Sequence, residues 1–344
     1  MNIFDLSLNE LIDYVVSAGF EKYRAEQILT AAYKNKPLES SGIPRALFVL
    51  LKEKFILQPC EIIKSVKSAD GTEKYLLRLF DGELIECVLL KQDYGKTLCI
   101  STQVGCSMKC AFCASGENGL VRHLSAGEMS AQVVLINNCA GAVKKDERSI
   151  TNIVLMGSGE PLHNYDNTLK FLRNITDEKS LNFSPRNISL STCGLVEKIL
   201  KFCGEGIAVT LSLSLHSPFD SVRRRIMPVA KTYRVKETID AVKRYFEKTG
   251  RRVVIEYSLI DGLNNRDEDA AELKKLLKGF SCHINLIRLN AVKGSEFAPP
   301  TEANAKEFCE KLVSLGLSAT IRKSKGGDIE GACGQLRVKF TESK

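Results

Sequence analysis

Apolar positions recur three and four residues apart through the first part of the chain. Leu8, Leu11, Ile12, Val15 and Val16 form one such stripe, and Ala25, Ile28, Leu29 and Tyr33 form a second. That is the period of an amphipathic helix, so residues 1–60 are expected to make a small N-terminal helical unit. The pattern then shortens. EIIKSVKS and KYLLRLF flank Asp70-Gly71, and ELIECVLL follows Asp81-Gly82. Both dipeptides favour tight turns, which predicts a short β-hairpin segment over 61–94.

From residue 95 onward, strand-like and helix-like runs alternate. KTLCIS, NIVLM, NISLS, AVTLSLSL, VVIEYSLI, HINLIRL and SATIR read as strands. EMSAQVVLINNCA, DNTLKFLRNI, VKETIDAVKRYFEKTG, DEDAAELKKLLKG and TEANAKEFCEKLVSLG read as helices between them. Repeated βα units imply an α/β fold with a mostly parallel sheet, wound as a barrel or left open. Ligand chemistry in either form gathers at the C-terminal ends of the strands.

Composition narrows the class. Hydrophobic residues make up 44% of 344, enough for a packed core, which excludes a disordered chain. No apolar run reaches bilayer length, and the opening MNIFDLSLNELIDYVVSAGF has early acidic residues unlike a targeting peptide. A cytoplasmic protein without membrane association is expected. The net charge of +8 permits a polyanionic partner without proving one. Basic residues cluster at Arg223-Arg224-Arg225, Arg251-Arg252, Lys274-Lys275 and Arg322-Lys323 with Lys325. Each is also what a solvated helix or strand end looks like.

The chain has 12 cysteines, and three of them fall within Cys106-Ser-Met-Lys-Cys110-Ala-Phe-Cys113. One dense group in an otherwise scattered set suits a reducing compartment with a single metal or cluster site. Cys60, Cys139, Cys203, Cys282 and Cys309 are expected to be small core residues. Thiolates are the usual ligands of iron–sulfur clusters, and four would saturate a four-iron cluster. Three leave one iron open, which separates a reactive site from a closed one. Structural zinc is the competing use, but it needs a second ligand pair, and His123 alone does not supply one.

Met156-Gly157-Ser158-Gly159-Glu160-Pro161 ends the NIVLM strand. Glycines there permit a close approach to the backbone, and the Glu160 carboxylate can accept bonds from an ammonium group; an ordinary turn would look the same. Polar groups recur at later strand ends, at Ser191-Thr192, at Ser214-Leu215-His216 and at Asn290. Singly they are turn formers or caps; together at the ends of barrel strands they suggest a pocket lining. Cys333 lies in Gly-Ala-Cys-Gly beyond the last strand, where nothing bulky shields its sulfur. Cys99 lies on the strand leading into the cysteine loop, where an ordinary strand cysteine is the plain alternative.

TLCISTQVGCSMKCAFCAS, MGSGEPL, ISLSTCGL, SLSLHSP, HINLIRLN and DIEGACGQL, in this order, resemble the RlmN/Cfr group of radical S-adenosylmethionine (SAM) adenine methyltransferases over about residues 80 to 340. The resemblance implies a partial TIM-like radical-SAM (β/α) barrel over 95–344, with the helices of 1–60 as an accessory domain and 61–94 as a connecting hairpin segment. It implies a [4Fe-4S] cluster on Cys106, Cys110 and Cys113, and SAM contacts from Gly159, Glu160, Ser191, Ser214, Leu215, His216 and Asn290. It also implies that one SAM methylates Cys333 and a second is split to a radical that activates that methyl for addition to an adenine. Cys99 then closes a disulfide with Cys333 and releases the RNA, and Glu86 serves as proton acceptor.

The implied target is C2 of an adenosine in 23S rRNA, and of one near the tRNA anticodon, with an electron donor such as flavodoxin and a monomeric enzyme. C8 methylation of the rRNA, which confers antibiotic resistance, is the alternative within the family; Pro161 favours C2. A radical-SAM enzyme on a small molecule or peptide, and a non-catalytic iron–sulfur RNA-binding protein, are the alternatives outside it. Ser158, Cys193 and Gly331 depart from the family's usual residues, conservatively in size.

Overall fold

The structure is a computed structural model that describes residues 1–140, 149–289, 296–322 and 325–329. Three helices open the chain: α1 (Leu8–Ser17), α2 (Tyr23–Tyr33) and α3 (Arg45–Lys54). A capping box starts α1, in which the Ser7 hydroxyl accepts the Glu10 N–H and the Glu10 carboxylate accepts the Ser7 N–H. Leu11 and Val15, Ala25 and Ile28, and Leu47 and Leu51 turn into one shared core.

That core is continuous with the rest of the molecule. At the start of α4 (Ala126–Cys139), the Gly127 N–H donates to Asp5 at 2.7 Å, and a Cβ on Gly127 would lie 2.8 Å from the Asn2 side chain. Asn174 donates to the Phe4 carbonyl, and Phe4 meets the Tyr33 ring edge-on at 5.2 Å. The N-terminal helices therefore seat directly on the following α/β unit.

The hairpin segment is β1 (Cys60–Lys67), β2 (Glu73–Leu79) and β3 (Leu84–Gln92), turned at Gly71 and Gly82 with φ of +82° and +90°. These strands extend the main sheet, because β3 pairs antiparallel with β4 (Gly95–Cys99). A two-stranded ribbon, β5 (Gln103–Gly105) and β6 (Leu120–His123), follows. The parallel strands are β7 (Asn152–Leu155), β8 (Ile188–Thr192), β9 (Thr210–Ser214), β10 (Val253–Leu259), β11 (Cys282–Arg288) and β12 (Ala319–Ile321). With β1–β4 they make, among the described residues, a ten-stranded sheet in the order β1-β2-β3-β4-β7-β8-β9-β10-β11-β12. The remaining helices are α5 (Tyr165–Thr176), α6 (Val196–Phe202), α7 (Asp220–Ile226), α8 (Val235–Thr249), α9 (Asp267–Leu276) and α10 (Glu302–Ser314). No helix among the described residues is long and apolar enough to cross a membrane.

Period-two alternation gives the sheet two unlike faces. Leu190, Leu211, Leu213, Ile255, Tyr257, Ile284 and Leu286 point to one, and pack with Phe171, Ile199, Val242, Leu273 and Phe308 of the covering helices. The other face is polar over its parallel part, with Ser189, Ser191, Ser212, Ser214, Glu256 and Asn285 in neighbouring register. This second face is the one free to hold a ligand.

The two edges of the sheet differ in form. Edge strand β1 is broken by a register shift between Ile62 and Lys64, while β12 is only three residues long. The chain beyond β12 is fastened to the turn beside β1. Asp328 accepts the Ser68 hydroxyl and the Ala69 N–H, and the Gly326 N–H donates to Asp70 at 2.8 Å. The Gly326 N–H holds the Asp70 carboxyl well below the usual carboxylate range, and the Ser68 hydroxyl lowers Asp328 likewise. Removing this latch with Ser68→Ala and Asp328→Ala should speed tryptic cleavage after Lys325 several-fold. The global unfolding midpoint should stay unchanged, both being read by mass spectrometry and urea titration.

Candidate active site

Chemistry is expected where β4 ends, and one hydroxyl organises that point. Ser101 Oγ donates to the Glu86 carbonyl on β3 at 2.7 Å and accepts the Ser158 N–H beyond β7 at 2.9 Å. From α4, the buried Gln132 side chain accepts the Ser101 N–H and donates to the Ser101 carbonyl, at 2.9 and 3.0 Å. The Ser158 carbonyl then accepts the N–H groups of both Thr102 and Gln103. The glycines of the MGSGEP loop permit this seating. A Cβ on Gly157 would come 2.6 Å from the Ile100 carbonyl oxygen, and one on Gly159, at φ +110°, 2.6 Å from Gln103 Cβ. The close approach expected of a ligand is thus made first by the chain itself.

The cysteine loop is held at its neck by the β5–β6 ribbon. Gly105, at φ +75°, would clash with the Gly119 carbonyl if it had a Cβ, and Cys106 N–H donates to that same carbonyl at 2.9 Å. Inside the loop Lys109 takes φ +50°, and Gly116 packs a prospective Cβ position 3.1 Å from Lys109 Cα. Cys106 is buried, while Cys110 and Cys113 are partly so. Burial pushes the Cys106 thiol up to about 11, with Cys113 adding to the rise; Cys110 is raised further still. Such thiols ionise only against a positive charge, which irons would provide. Among the described residues no three Cys, His, Asp or Glu side chains converge as a lone metal ion requires. A four-iron cluster asks instead for one thiolate on each of three irons, and the residues fit that demand.

Glu160 is buried at the end of β7 and ties two strand ends together. Its carboxylate accepts the N–H of Leu162 at 3.0 Å and of Cys193 at 2.7 Å, while its own N–H donates to Gln103 at 2.8 Å. Burial raises its pKa, and these donors oppose the rise. Each oxygen keeps further acceptor capacity for a ligand's ammonium. Ser191 and Ser214 lie half-buried on the polar face, near the C-terminal ends of β8 and β9. Leu215 is fully buried, its N–H donating to the Glu256 carbonyl.

His216 takes a left-handed φ of +56° and lies buried. Its Nδ1 accepts the Ser258 N–H at 2.8 Å, so Nε2 carries the proton, and its ring meets Phe112 of the cysteine loop edge-on at 4.8 Å. Burial first, and the Arg223 charge second, push His216 down to about 3.

Pairing runs the polar face across to the other thiol. Lys74 is opposite Val88, Val88 opposite Cys99, Cys99 opposite Val154 and Val154 opposite Ser189. Cys99 is buried with Val88, Leu90, Val154 and Met156, and Glu86 lies two residues before Val88 on the same face. Glu86 and Lys74 form a buried ion pair at 3.7 Å. Sequence reasoning did not single out Lys74; a charged residue at an inward position of KYLLRLF was its signal. Glu256, buried on β10 and bonded by Asn285 at 2.8 Å, was missed likewise although it sits at an inward position of VVIEYSLI. Asn290 and Cys333 lie outside the described residues.

Some expectations need correction. Cys139 is exposed at the last turn of α4, and Cys203, Cys282 and Cys309 are only partly buried; of the five expected in the core, Cys60 is buried. Arg223 is not a surface charge: its guanidinium is fully buried and donates to the carbonyls of Leu215, Cys193 and Ser214. Arg251 and Arg252 precede β10, and Lys274-Lys275 end α9 just before β11. They sit at the N-terminal ends of the strands, away from the cysteine loop, so the basic clusters do not line one face.

A sequence model of the Radical SAM superfamily matches residues 100–273. Over 100% of its length the chain is 46% identical to "Probable dual-specificity RNA methyltransferase RlmN" of Clostridium perfringens (strain SM101 / Type A), covering 98% of that protein. A protein of the same name from Clostridium novyi (strain NT) is 43% identical, with 98% of each chain covered. The crystal structure of a radical SAM methyltransferase from Sphaerobacter thermophilus matches with a TM-score of 0.92 and 41% identity, over 97% of this chain and 98% of that one.

Two outcomes follow from this geometry. Gly159→Ala should destabilise the fold by roughly 2–4 kcal/mol in urea unfolding, because its backbone conformation and the Gln103 contact both resist a Cβ. Below pH 6.5 the unfolded chain binds a proton that folded His216 refuses until about 3. Stability should therefore fall with acidification by up to about 1.4 kcal/mol per pH unit from this residue. His216→Asn, which tolerates the left-handed backbone, should flatten that slope in urea titrations of the cluster-free protein.

Proposed function

The chain belongs to the RlmN family of radical SAM RNA methyltransferases, and from that membership we propose that it methylates C2 of an adenosine in 23S rRNA, and of an adenosine near the tRNA anticodon. The observation that carries this reading is the shared sheet face. Cys99 stands on it in register with Ser189 of β8, and Glu86 lies on the same face, which also carries Ser191 and Ser214 near the ends of β8 and β9, beside a loop with three cysteines. A small-molecule enzyme of the same superfamily would have no use for a buried second thiol in that row.

In this reading Cys106, Cys110 and Cys113 hold a [4Fe-4S] cluster, which when bound supplies the electron that cleaves SAM. Gly159, Glu160, Ser191, Ser214, Leu215, His216 and Asn290 hold SAM. The Glu160 carboxylate takes the ammonium group, and the Nε2 proton of neutral His216 is a fixed donor. Cys333, four residues beyond Ile329 in the sequence, carries the methyl group. Adenine C2 is electron-poor, so a carrier thiol replaces direct transfer of a methyl cation. Cys99 then attacks Cys333 to form the disulfide that frees the RNA, and Glu86 accepts the proton lost from the base.

Lys74 forms a buried ion pair with Glu86 at 3.7 Å and so holds that carboxylate in place on the shared face. The target base must be unstacked to be reached, which favours unfolded or partly assembled RNA. The division into a helical accessory domain (1–60), a hairpin segment (61–94) and a barrel (95–344) belongs to the same proposal. So do a flavodoxin-like electron donor, a monomeric state and a cytoplasmic location.

The test is anaerobic: cluster-reconstituted enzyme, SAM, reductant and a methyl-free 23S RNA fragment, with modified nucleosides identified by mass spectrometry. The expected product is 2-methyladenosine; 8-methyladenosine would move the enzyme to the C8 branch. No methyladenosine, with cluster intact and SAM cleaved, would overturn the assignment. Cys333→Ala should abolish product, whereas Cys99→Ala should leave RNA covalently attached to the protein and visible as a shifted band in a denaturing gel.

A further inference from the structure

Arg223 heads the fully buried side chains by size, and it is a cation. Its Nε donates to the Leu215 carbonyl at 3.1 Å, and its Nη2 to the carbonyls of Cys193 at 2.6 Å and Ser214 at 3.3 Å. Its Nη1 is buried without a hydrogen-bond partner among the described residues. No carboxylate among the described residues forms an ion pair with it; Asp220 adds only a Coulombic attraction. A buried charge answered by neutral carbonyls alone is expensive, and the usual remedy is an opposite charge close by. Neutral Gln could satisfy a carbonyl, so the hydrogen bonds do not explain why the residue is charged.

The surroundings show where the missing negative charge belongs. Helix α7, which carries Arg223, is bonded to the cysteine loop: the Ala111 N–H, next to Cys110, donates to the Ile226 carbonyl at 2.9 Å. Cys110 and Phe112 pack against Cys193, Ile226 and Met227. On the far side, Gly194 at φ +99° lets the guanidinium lie flat, since its Cβ would come 3.3 Å from Nη2 and 2.6 Å from Thr238. Arg223 is thus clamped between two strand ends and the loop, on the Cys110 side.

We propose that Arg223 is the built-in counter-cation of the iron–sulfur cluster, fixed by three carbonyls so that its charge raises the cluster's reduction potential. This rests on the reading that Cys106, Cys110 and Cys113 hold a four-iron cluster. Three thiolates outweigh the charge of the oxidised core, so the assembly is anionic and gains a further negative charge on reduction. A fixed neighbouring cation favours that gain. Arg223 is a positioning residue here and touches no reacting atom.

The test is a redox titration of the reconstituted full chain without SAM, followed by electron paramagnetic resonance of the reduced cluster. Arg223→Gln keeps donors and drops the charge; it should lower the reduced-to-oxidised ratio at a fixed potential about tenfold, equivalent to about 59 mV for one electron. Arg223→Lys keeps the charge and should stay close to the parent. An Arg223→Gln midpoint equal to the parent's would overturn the proposal, whether or not SAM binding weakens. If neither variant folds, parent protein labelled with nitrogen-15 arginine should still show nitrogen hyperfine coupling to the reduced cluster, and its absence would also overturn the proposal. A chain that takes up no four-iron cluster fails earlier, in its iron and sulfide content, and sinks the functional reading itself.

Discussion

The geometry of the site depends on how one backbone position, Ser101, is tied down. It is the point where β4 ends and the chain leaves for the cysteine loop, and its polar groups are engaged in three directions. Gln132 grips its peptide from α4, its hydroxyl reaches β3, and the same hydroxyl receives the Ser158 N–H from the loop after β7. Buried backbone groups must be paired, and here the pairing is shared among three elements that are distant in sequence. A neighbouring strand end is then fixed by Glu160, whose carboxylate reaches Cys193 after β8. The strand ends that frame the site are therefore set by a chain of short polar contacts, with glycines at 157 and 159 removing the atoms that would hold them apart.

Charge distribution follows from the same layout. One face of the sheet is apolar and covered by helices, and the buried charged groups of the strands, Lys74, Glu86 and Glu256, lie on the other. Buried Lys74 pairs with buried Glu86, and buried Glu256 with half-buried Asn285, near the two sides of that face. Burying such groups costs folding free energy that apolar residues would spare, so their presence marks a surface built for chemistry rather than for stability. Arg223 extends the pattern to the rim, between the β8 and β9 ends and the cysteine loop.

Much of this was legible in the residues. The alternating strands and helices could be read because period two and period 3.6 are imposed by burial itself. The cysteine loop could be read because its chemistry admits only one residue type at three positions. Glu160, Ser191, Ser214 and His216 could be read as strand-end polar groups, though only register shows that Cys99 and Glu86 share their face. Helix α3 was obscured by exposed Val49 and Leu50, which break its apolar period. The β5–β6 ribbon was too short to leave a pattern. Arg223 was hidden by Arg224 and Arg225, since three adjacent arginines look like a solvated run until the helix places the first one inward. Ser101, Gln103 and Gln132 were invisible for a related reason: single hydroxyls and amides have many uses, and only contacts across the fold choose among them.

The irregular edges of the sheet bear on how the protein behaves in a crowded solution. An exposed strand edge is a template on which a second molecule can add a strand, and a sheet that ends at β1 and β12 has two such edges to guard. Edge strand β1 carries Glu61, Lys64 and Lys67 together with the register shift that bends it, while β12 is too short to offer a long template. Intermolecular pairing is thus resisted by charge and shape at one side and by lack of length at the other. The sheet can thus keep one face for chemistry without polymerising through its own backbone.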